Sequence, residues 1–227
     1  MYKPPISVTG CASLPGASLN DDGATSLGKE YNWSSATNTN FGTGFGAPTN
    51  TRAIVEIGGQ CWARYNLNAT DGTRGDWYYP EASGGTQVTN QGFLYNWNSA
   101  MYNTPYERGQ GFCPNGWHVP SDCEWMYLEN TLGMSVENQV SIEEGPKSSG
   151  VEAGRMLKPG GSSGFEALLP GYFNTGMRAY GEMGIWWTSS PANNTDYYSR
   201  KVVNYDEHNG RGRDNKANYY SIRCLRN

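Results

Sequence analysis

The sequence predicts an α+β fold of short antiparallel strands, one or two helices and extensive loops. Three observations carry this. Gly 30, Tyr 16 and Trp 8 in 227 residues, with only 17% charged residues, describe a loop-rich, aromatic-rich globule and not a disordered chain. From Thr51, the stretch TRAIVEIGGQCWARYNL alternates apolar and polar through Ala53, Val55 and Ile57, turns at Gly58-Gly59 and resumes at Cys61, a hairpin signature. In VPSDCEWMYLENTLG, Ser121 caps a first helical turn with Glu124 three residues on; Trp125, Leu128 and Leu132 then share one face before Gly133 ends the helix. The length allows one sizeable core, or one domain with an appended segment.

Residues 1–50 are rich in Gly, Ser, Thr, Asn and Ala and read as an extended lead-in with short strands at most, leaving 51–227 as the domain. Residues 71–91 read as loop, and FLYNWNSAM (93–101) as a short aromatic segment. Pro120 sits just before the helix, where a proline is tolerated. A short helix is expected around Val136 to Val140, followed by a Gly/Ser/Pro-rich stretch ending GGSSGF. ALLPGYFNTGMRAYGEMGIWWTSS reads as strand, glycine turn, strand. Two or three strands should follow, ending in SIRCLRN as a buried strand with Ile222, Cys224 and Leu225 in the core.

A net charge of -4 offers no electrostatic footprint for nucleic acid. No apolar run approaches the roughly 20 residues that span a bilayer, so direct membrane insertion is not expected. The opening MYKPPISVTG lacks the regions of a signal peptide, which predicts either a trimmed leader or another route outside, such as on a virus particle. Cys11, Cys61, Cys113, Cys123 and Cys224 match no zinc spacing, and only His118 and His208 offer imidazole, so no metal or cofactor is expected. One or two disulfides with an odd cysteine left over fit this composition. His118, inside GWHVP, reads as a packed structural histidine. Asp21-Asp22, Glu143-Glu144 and Asp206-Glu207 are neighbours in sequence and do not make the converging pair of a glycosidase. No catalytic residue is assigned.

The C-terminal tract carries the functional expectation. Residues 193–220 hold six Asn, five Tyr, three Asp and three Arg among 28 residues, with Val202, Val203 and Ala217 the only aliphatic side chains. Tyr offers large contact area at low rotamer entropy, Asn adapts its hydrogen bonds and Arg anchors, which is the chemistry of paratopes. The candidate ligand-binding residues are therefore Asn194, Asp196, Tyr197, Tyr198, Arg200, Asn204, Tyr205, Asp206, His208, Asn209, Arg211, Arg213, Asn215, Asn218 and Tyr219, within a display region of about 186–227. As surface sites, Asn194, Asp206, Asn209 and Asn218 should each lose less than about 0.5 kcal/mol on replacement by Ala. A polar, solvated hairpin with no ligand is the plainer alternative.

GGQCWARYNL (58–67), GFLYNWNSAM (92–101), GFCPNGWHVPSDCEW (111–125), SGFEALLPGYF (163–173), GIWWTSS (184–190) and SIRCLRN (221–227) occur in the order and spacing of the Fibrobacter succinogenes major paralogous domain. The resemblance covers roughly residues 53–227. That family in turn resembles the C-type lectin fold in the version shared with formylglycine-generating enzymes, through its G-W-x-[LV]-P helix start and terminal R-C-[VL]-R strand. It implies a mixed domain whose termini meet on neighbouring strands and whose loop-rich face binds. Cys113 and Cys224 match the family pattern, so the resemblance implies that they bridge; Cys61 and Cys123 stand where the family usually carries other residues.

The same resemblance frames the function. Formylglycine generation needs a reactive cysteine pair near the chain end, where only Cys224 stands. Calcium-dependent sugar binding in related lectins uses E-P-N or Q-P-D with W-N-D, and none occurs. The tryptophans at 62, 77, 97, 117, 125, 186 and 187 mostly lie in motif positions and read as core. The tract also resembles the variable regions of proteins diversified by retroelements: 25 of its 28 residues are reachable from Asn codons by adenine-directed mutagenesis, Lys201, Glu207 and Lys216 excepted. The expectation is a non-enzymatic binding protein displaying a Tyr/Asn/Arg surface to a protein or glycan ligand on a cell surface, itself on a cell or virion exterior. Its alternatives are a fixed-sequence structural or carbohydrate-associated module and, third, a formylglycine-generating-type enzyme.

Overall fold

In a computed structural model, the structure describes residues 9–20, 27–33, 52–69, 77–82, 84–102, 104–142, 153–207 and 209–227. The chain folds as a mixed α+β domain of mostly short antiparallel strands. Its hub is a six-stranded sheet. β1 (Ala17–Leu19), β2 (Gly28–Trp33), β3 (Ile54–Ile57) and β4 (Gln60–Ala63) lie in order, followed by β15 (Leu225–Arg226) and β9 (Trp117–His118). The β3–β4 hairpin forms where the sequence places it. Gly58 and Gly59 take φ of +58° and +82°, the paired left-handed turn that matches strand twist.

Side chains on successive residues of these strands point to opposite faces, and each face has its own core. Cys61, Ala63 and Cys224 pack with Trp33, Trp97, Trp117 and Trp187; Trp62 and Leu225 pack with Trp125, Phe165 and Trp186. β3 and β4 are therefore covered on both sides, which is why Ile54 is buried as fully as Val55.

Residues 1–50 contribute more than a lead-in. β2 pairs with β3 over four residues, Tyr31 and Trp33 enter the core, and Cys11 is bridged to Cys61. Their polar, glycine-rich composition hides this, because the anchor comes from a few aromatics and one cysteine spread across a long segment.

Between the strands lie α1 (Trp97–Met101), α2 (Asp122–Thr131), α3 (Val136–Val140) and α4 (Ala153–Leu157). In α2 the capping box is complete: Ser121 Oγ accepts from Glu124 N–H at 3.3 Å, and Ser121 N–H donates to Glu124 Oε2 at 2.8 Å. Trp125, Leu128 and Leu132 are all buried. Segment 71–91, read as loop, holds β5 (Trp77–Tyr78), β6 (Glu81–Ala82) and β7 (Thr86–Gln87) in its described part; β5 pairs with β8 (Leu94–Tyr95). Two-residue strands have no usable period, and here stacking of Trp77 on Phe93 at 4.3 Å helps place one.

β10 (Tyr172–Phe173) and β11 (Met177–Arg178) form a hairpin, and β12 (Met183–Pro191), β13 (Asp196–Val203) and β14 (Asn209–Asn215) form a three-stranded antiparallel sheet. From β14 the chain passes beside β12, with Ser221 N–H donating to Ile185 O at 2.9 Å, and enters the hub sheet as β15. Arg223, fully buried, spends its guanidinium on Ala63 O, Phe165 O, Glu166 O and Asn66 Oδ1. Cys113 and Cys224 bridge with their Cα atoms 5.9 Å apart, as the family resemblance implied, and Cys123 is the odd cysteine, free and exposed.

Candidate functional site

The display tract splits between two ends of the three-stranded sheet. β13 runs from Asp196 to Val203, seven steps of about 3.3 Å, so its ends stand about 23 Å apart. At one end, here termed apical, the turn 192–195 meets the stretch leaving β14. Asp196 pairs with Asn215, and Lys216 N–H donates to Thr195 O at 3.2 Å. At the opposite end lie Asn204, Tyr205 and Asp206. Asn204 is tied there by its N–H to Glu182 O at 2.8 Å and by Nδ2 to Gly181 O at 3.0 Å, while Lys158 Nζ donates to Asp206 O at 2.5 Å. Tyr205 is 69% exposed at that end. These three residues do not join the apical surface, because an antiparallel hairpin puts its turn and its open end a full strand length apart. His208 lies outside the described residues.

Three further candidates are scaffold. Strand alternation aims Arg200, Val202, Asn209 and Arg211 at α2. Arg200 Nη1 lies 2.6 Å from Asp122 Oδ1 and its Nε 2.7 Å from Glu129 Oε1, while Arg211 Nη2 lies 2.6 Å from Asp122 Oδ2. Asn209 Nδ2 donates to Glu129 Oε1 at 2.7 Å. All five residues are buried. The contact-surface reading of Arg200, Asn209 and Arg211 is therefore corrected: their polar heads satisfy a buried network, which composition cannot distinguish from a wet surface. Burial raises the Asp122 carboxyl, but the two guanidinium groups outweigh it and hold the group below its ordinary value.

The other face of β13 and β14 turns toward the core. Tyr197 stacks on Trp97 with centroids 3.6 Å apart, and the Ser199 hydroxyl donates a short hydrogen bond to the Asp214 carboxylate. Tyr219 is half-buried, edge-on to Tyr78 and Phe173, and Asn218 Nδ2 donates to the Tyr220 hydroxyl at 3.1 Å. Tyr197, Asn218 and Tyr219 are thus partly committed to packing.

What remains at the apical end is compact. Asn194, Arg213 and Asn215 are exposed, and Asp196 and Tyr198 are half-buried. The turn holds its shape through Asn193, whose Oδ1 accepts from the N–H groups of Thr195 at 2.8 Å and Asp196 at 2.9 Å. The Tyr198 ring lies under the Arg211 guanidinium at 3.7 Å, with Arg213 at 6.0 Å, so a large aromatic surface is oriented before any ligand arrives.

Loop 104–110 joins this end. Arg108 N–H donates to Ser189 Oγ at 2.8 Å, the Ser190 hydroxyl bonds the Glu107 carboxylate, and Tyr106 stands 62% exposed. Tyr106 was missed in the sequence, although a tyrosine between Pro105 and Glu107-Arg108 in a turn-rich stretch carries the same composition signal as the tract.

Behind the site, His118 is buried with Nε2 3.0 Å from both Glu124 carboxylate oxygens and Nδ1 2.6 Å from Asn227 Oδ1, a structural role. Burial raises the Glu124 carboxyl; His118, the Ser121 backbone and Arg108 together pull it below its ordinary value. The Cys123 thiol is pushed up by burial and by the carboxylates of Asp122, Glu107 and Glu124, which suppresses the thiolate that nucleophilic chemistry requires. Among the described residues no group of three or more His, Cys, Asp or Glu is placed to hold a metal ion, and no helix is long and apolar enough to cross a membrane. The apical end can thus offer area, hydrogen bonds and a guanidinium.

No curated protein and no solved structure matches the chain. The family model described as the Fibrobacter succinogenes major domain matches residues 55–226, from β3 through β15 and including every element that builds the apical end, and the chain accordingly belongs to the Fibrobacter succinogenes major domain family.

Proposed function

We propose that the protein is a non-enzymatic binding module that presents its apical end to a protein or glycan ligand outside the cell or on a virion, on a scaffold of the C-type lectin-like kind. One observation carries this: exposed Asn194, Arg213 and Asn215, with half-buried Asp196 and Tyr198, cluster at the apical end of strands that are locked further along the same face by the Arg200–Asp122–Arg211 network. Side chains there vary without disturbing the fold, because the backbone is fixed by the buried network further along the strands, with Tyr198 lying against its Arg211. The same arrangement suits diversification by a retroelement, with Asn194, Asp196, Tyr198, Arg213 and Asn215 the varied positions that reach a ligand and Tyr106 a fixed neighbour. Two disulfides support an exterior location.

The test is a displayed library. Randomising Asn194, Asp196, Tyr198, Arg213 and Asn215 should leave most clones folded and yield binders against an arbitrary protein antigen. Randomising Arg200, Asn209 and Arg211 should leave few clones folded. Equal loss of folded clones in both libraries would overturn the reading. For diversification, a reverse-transcriptase gene and a near-identical template repeat beside the gene are the expected finding, and their absence rejects that part alone.

A further inference from the structure

A second feature lies at the other end of the sheet, away from the apical surface. There the β6–β7 hairpin and the segment from β11 to the start of β12 enclose an open cleft of about 460 Å³, within the roughly 300–1,000 Å³ of small-molecule sites. Its functional lining is Glu81, Arg178, Tyr180 and Glu182, with Met177 the one aliphatic side chain larger than alanine. Gly84 and Gly85, at φ of +88° and +78°, leave open space where side chains would stand, so the hairpin turn exposes its backbone.

The wall is held in place. Gly171 lies so close to Arg178 O that a Cβ would sit 2.2 Å from it. Ala179 takes a left-handed φ of +55°, closed by Glu182 and Met183 N–H groups that both donate to its carbonyl at 3.0 Å. Tyr180 accepts a hydrogen bond from Gln91 Nε2 at 3.2 Å, which leaves its own hydroxyl proton to donate. Asn204 ties the β13–β14 turn to Gly181 and Glu182, which places exposed Tyr205 at the same end.

The lining chemistry narrows the occupant. A lipid or other apolar ligand is disfavoured because the walls are polar with Met177 and the Tyr180 ring as their apolar surface. A phosphate-bearing ligand meets two carboxylates and one guanidinium. A polyamine meets the guanidinium, and Glu182 is exposed to solvent, which weakens any single ion pair. Carboxylates, a guanidinium and a phenol together are acceptors and donors for adjacent hydroxyl groups, and a ring face beside them suits the C–H face of a pyranose. We infer that this cleft is a metal-independent site for a neutral saccharide, separate from the apical surface and independent of its function.

The experiment is saturation-transfer NMR on the full chain with cellobiose, maltose and N-acetylglucosamine, and with spermidine and inorganic phosphate as charged comparators, all in EDTA. At least one neutral sugar should bind, with affinity falling at least about tenfold in Tyr180→Ala and in Arg178→Ala, and unchanged in the apical variant Arg213→Ala. Arg178 is exposed, so its variant keeps the test open if Tyr180→Ala fails to fold. Binding of no neutral sugar, of spermidine or phosphate alone, or of a sugar whose affinity survives both cleft variants or is lost in Arg213→Ala, would overturn the proposal.

Discussion

The Asp122 carboxylate, second residue of the helical capping box on α2, receives the guanidinium groups of both Arg200 on β13 and Arg211 on β14, each at 2.6 Å. One side chain thus ties a helix start to two strands of the display tract. It also fixes which face of those strands packs on α2, since a one-residue slip would put both arginines on the wrong side.

Removing one partner from this network should be costly. Arg200→Ala leaves Asp122 and Glu129 buried with a lost partner, and denaturant melts should show a loss of about 3–5 kcal/mol. A loss below about 1 kcal/mol would mean that the pair is solvated in solution.

The network also sets an acid limit. The folded Asp122 carboxyl is held below its ordinary value, so its contribution is full above the unfolded value near about 4 and is lost as pH falls through the lower folded value. Wild type should therefore exceed Asp122→Asn in stability at neutral pH, and the gap should shrink with acidification below about pH 4. A gap that is constant from pH 7 to pH 2.5 would rule out the linkage.

Asn194 and Asn209, fifteen residues apart in one polar tract, should behave oppositely. Asn194→Ala at the exposed turn should cost less than about 0.5 kcal/mol. Asn209→Ala removes a buried hydrogen bond to Glu129 and should cost about 1–3 kcal/mol. Equal effects would collapse the division of the tract into display and scaffold.

Peptide mapping without reduction should recover Cys11 joined to Cys61 and Cys113 joined to Cys224, with Cys123 alkylated in the native protein. The second bridge spans a sequence separation of 111 residues, and Cys113→Ser with Cys224→Ser should lower stability by about 2–5 kcal/mol. Detection of Cys123 in an intramolecular bridge would refute this pairing.

Once an apical ligand is in hand, EDTA should leave its binding intact, whereas Tyr198→Ala or Arg213→Ala should weaken it, by at least about 2 kcal/mol where the side chain is well buried in the complex. Loss of affinity in EDTA with recovery on adding calcium would promote a metal-dependent lectin instead.

Local signals were legible wherever the physics is local. The Gly58-Gly59 turn and the Ser121–Glu124 capping box each depend on residues within a few positions and stand as the sequence predicts, and Ile222, Cys224 and Leu225 are buried as expected although the strand covers only Leu225–Arg226. The six motifs likewise led to the family and to the Cys113–Cys224 bridge. Only the tertiary structure decided which polar residues are surface. Arg200 and Arg213 are the same amino acid in the same tract, yet one is buried against Asp122 and Glu129 and the other is exposed. The difference lies in how far along one strand face each stands: Arg200 is level with α2, a helix some 70 residues earlier in sequence, whereas Arg213 is two residues past Arg211 toward the apical end, and composition carries no record of that. The recruitment of Tyr31, Trp33 and Cys11 into the core has the same origin, because their partners lie beyond any local window. Secondary structure is written in neighbouring residues, whereas burial of a charge depends on a partner the chain brings from a distance.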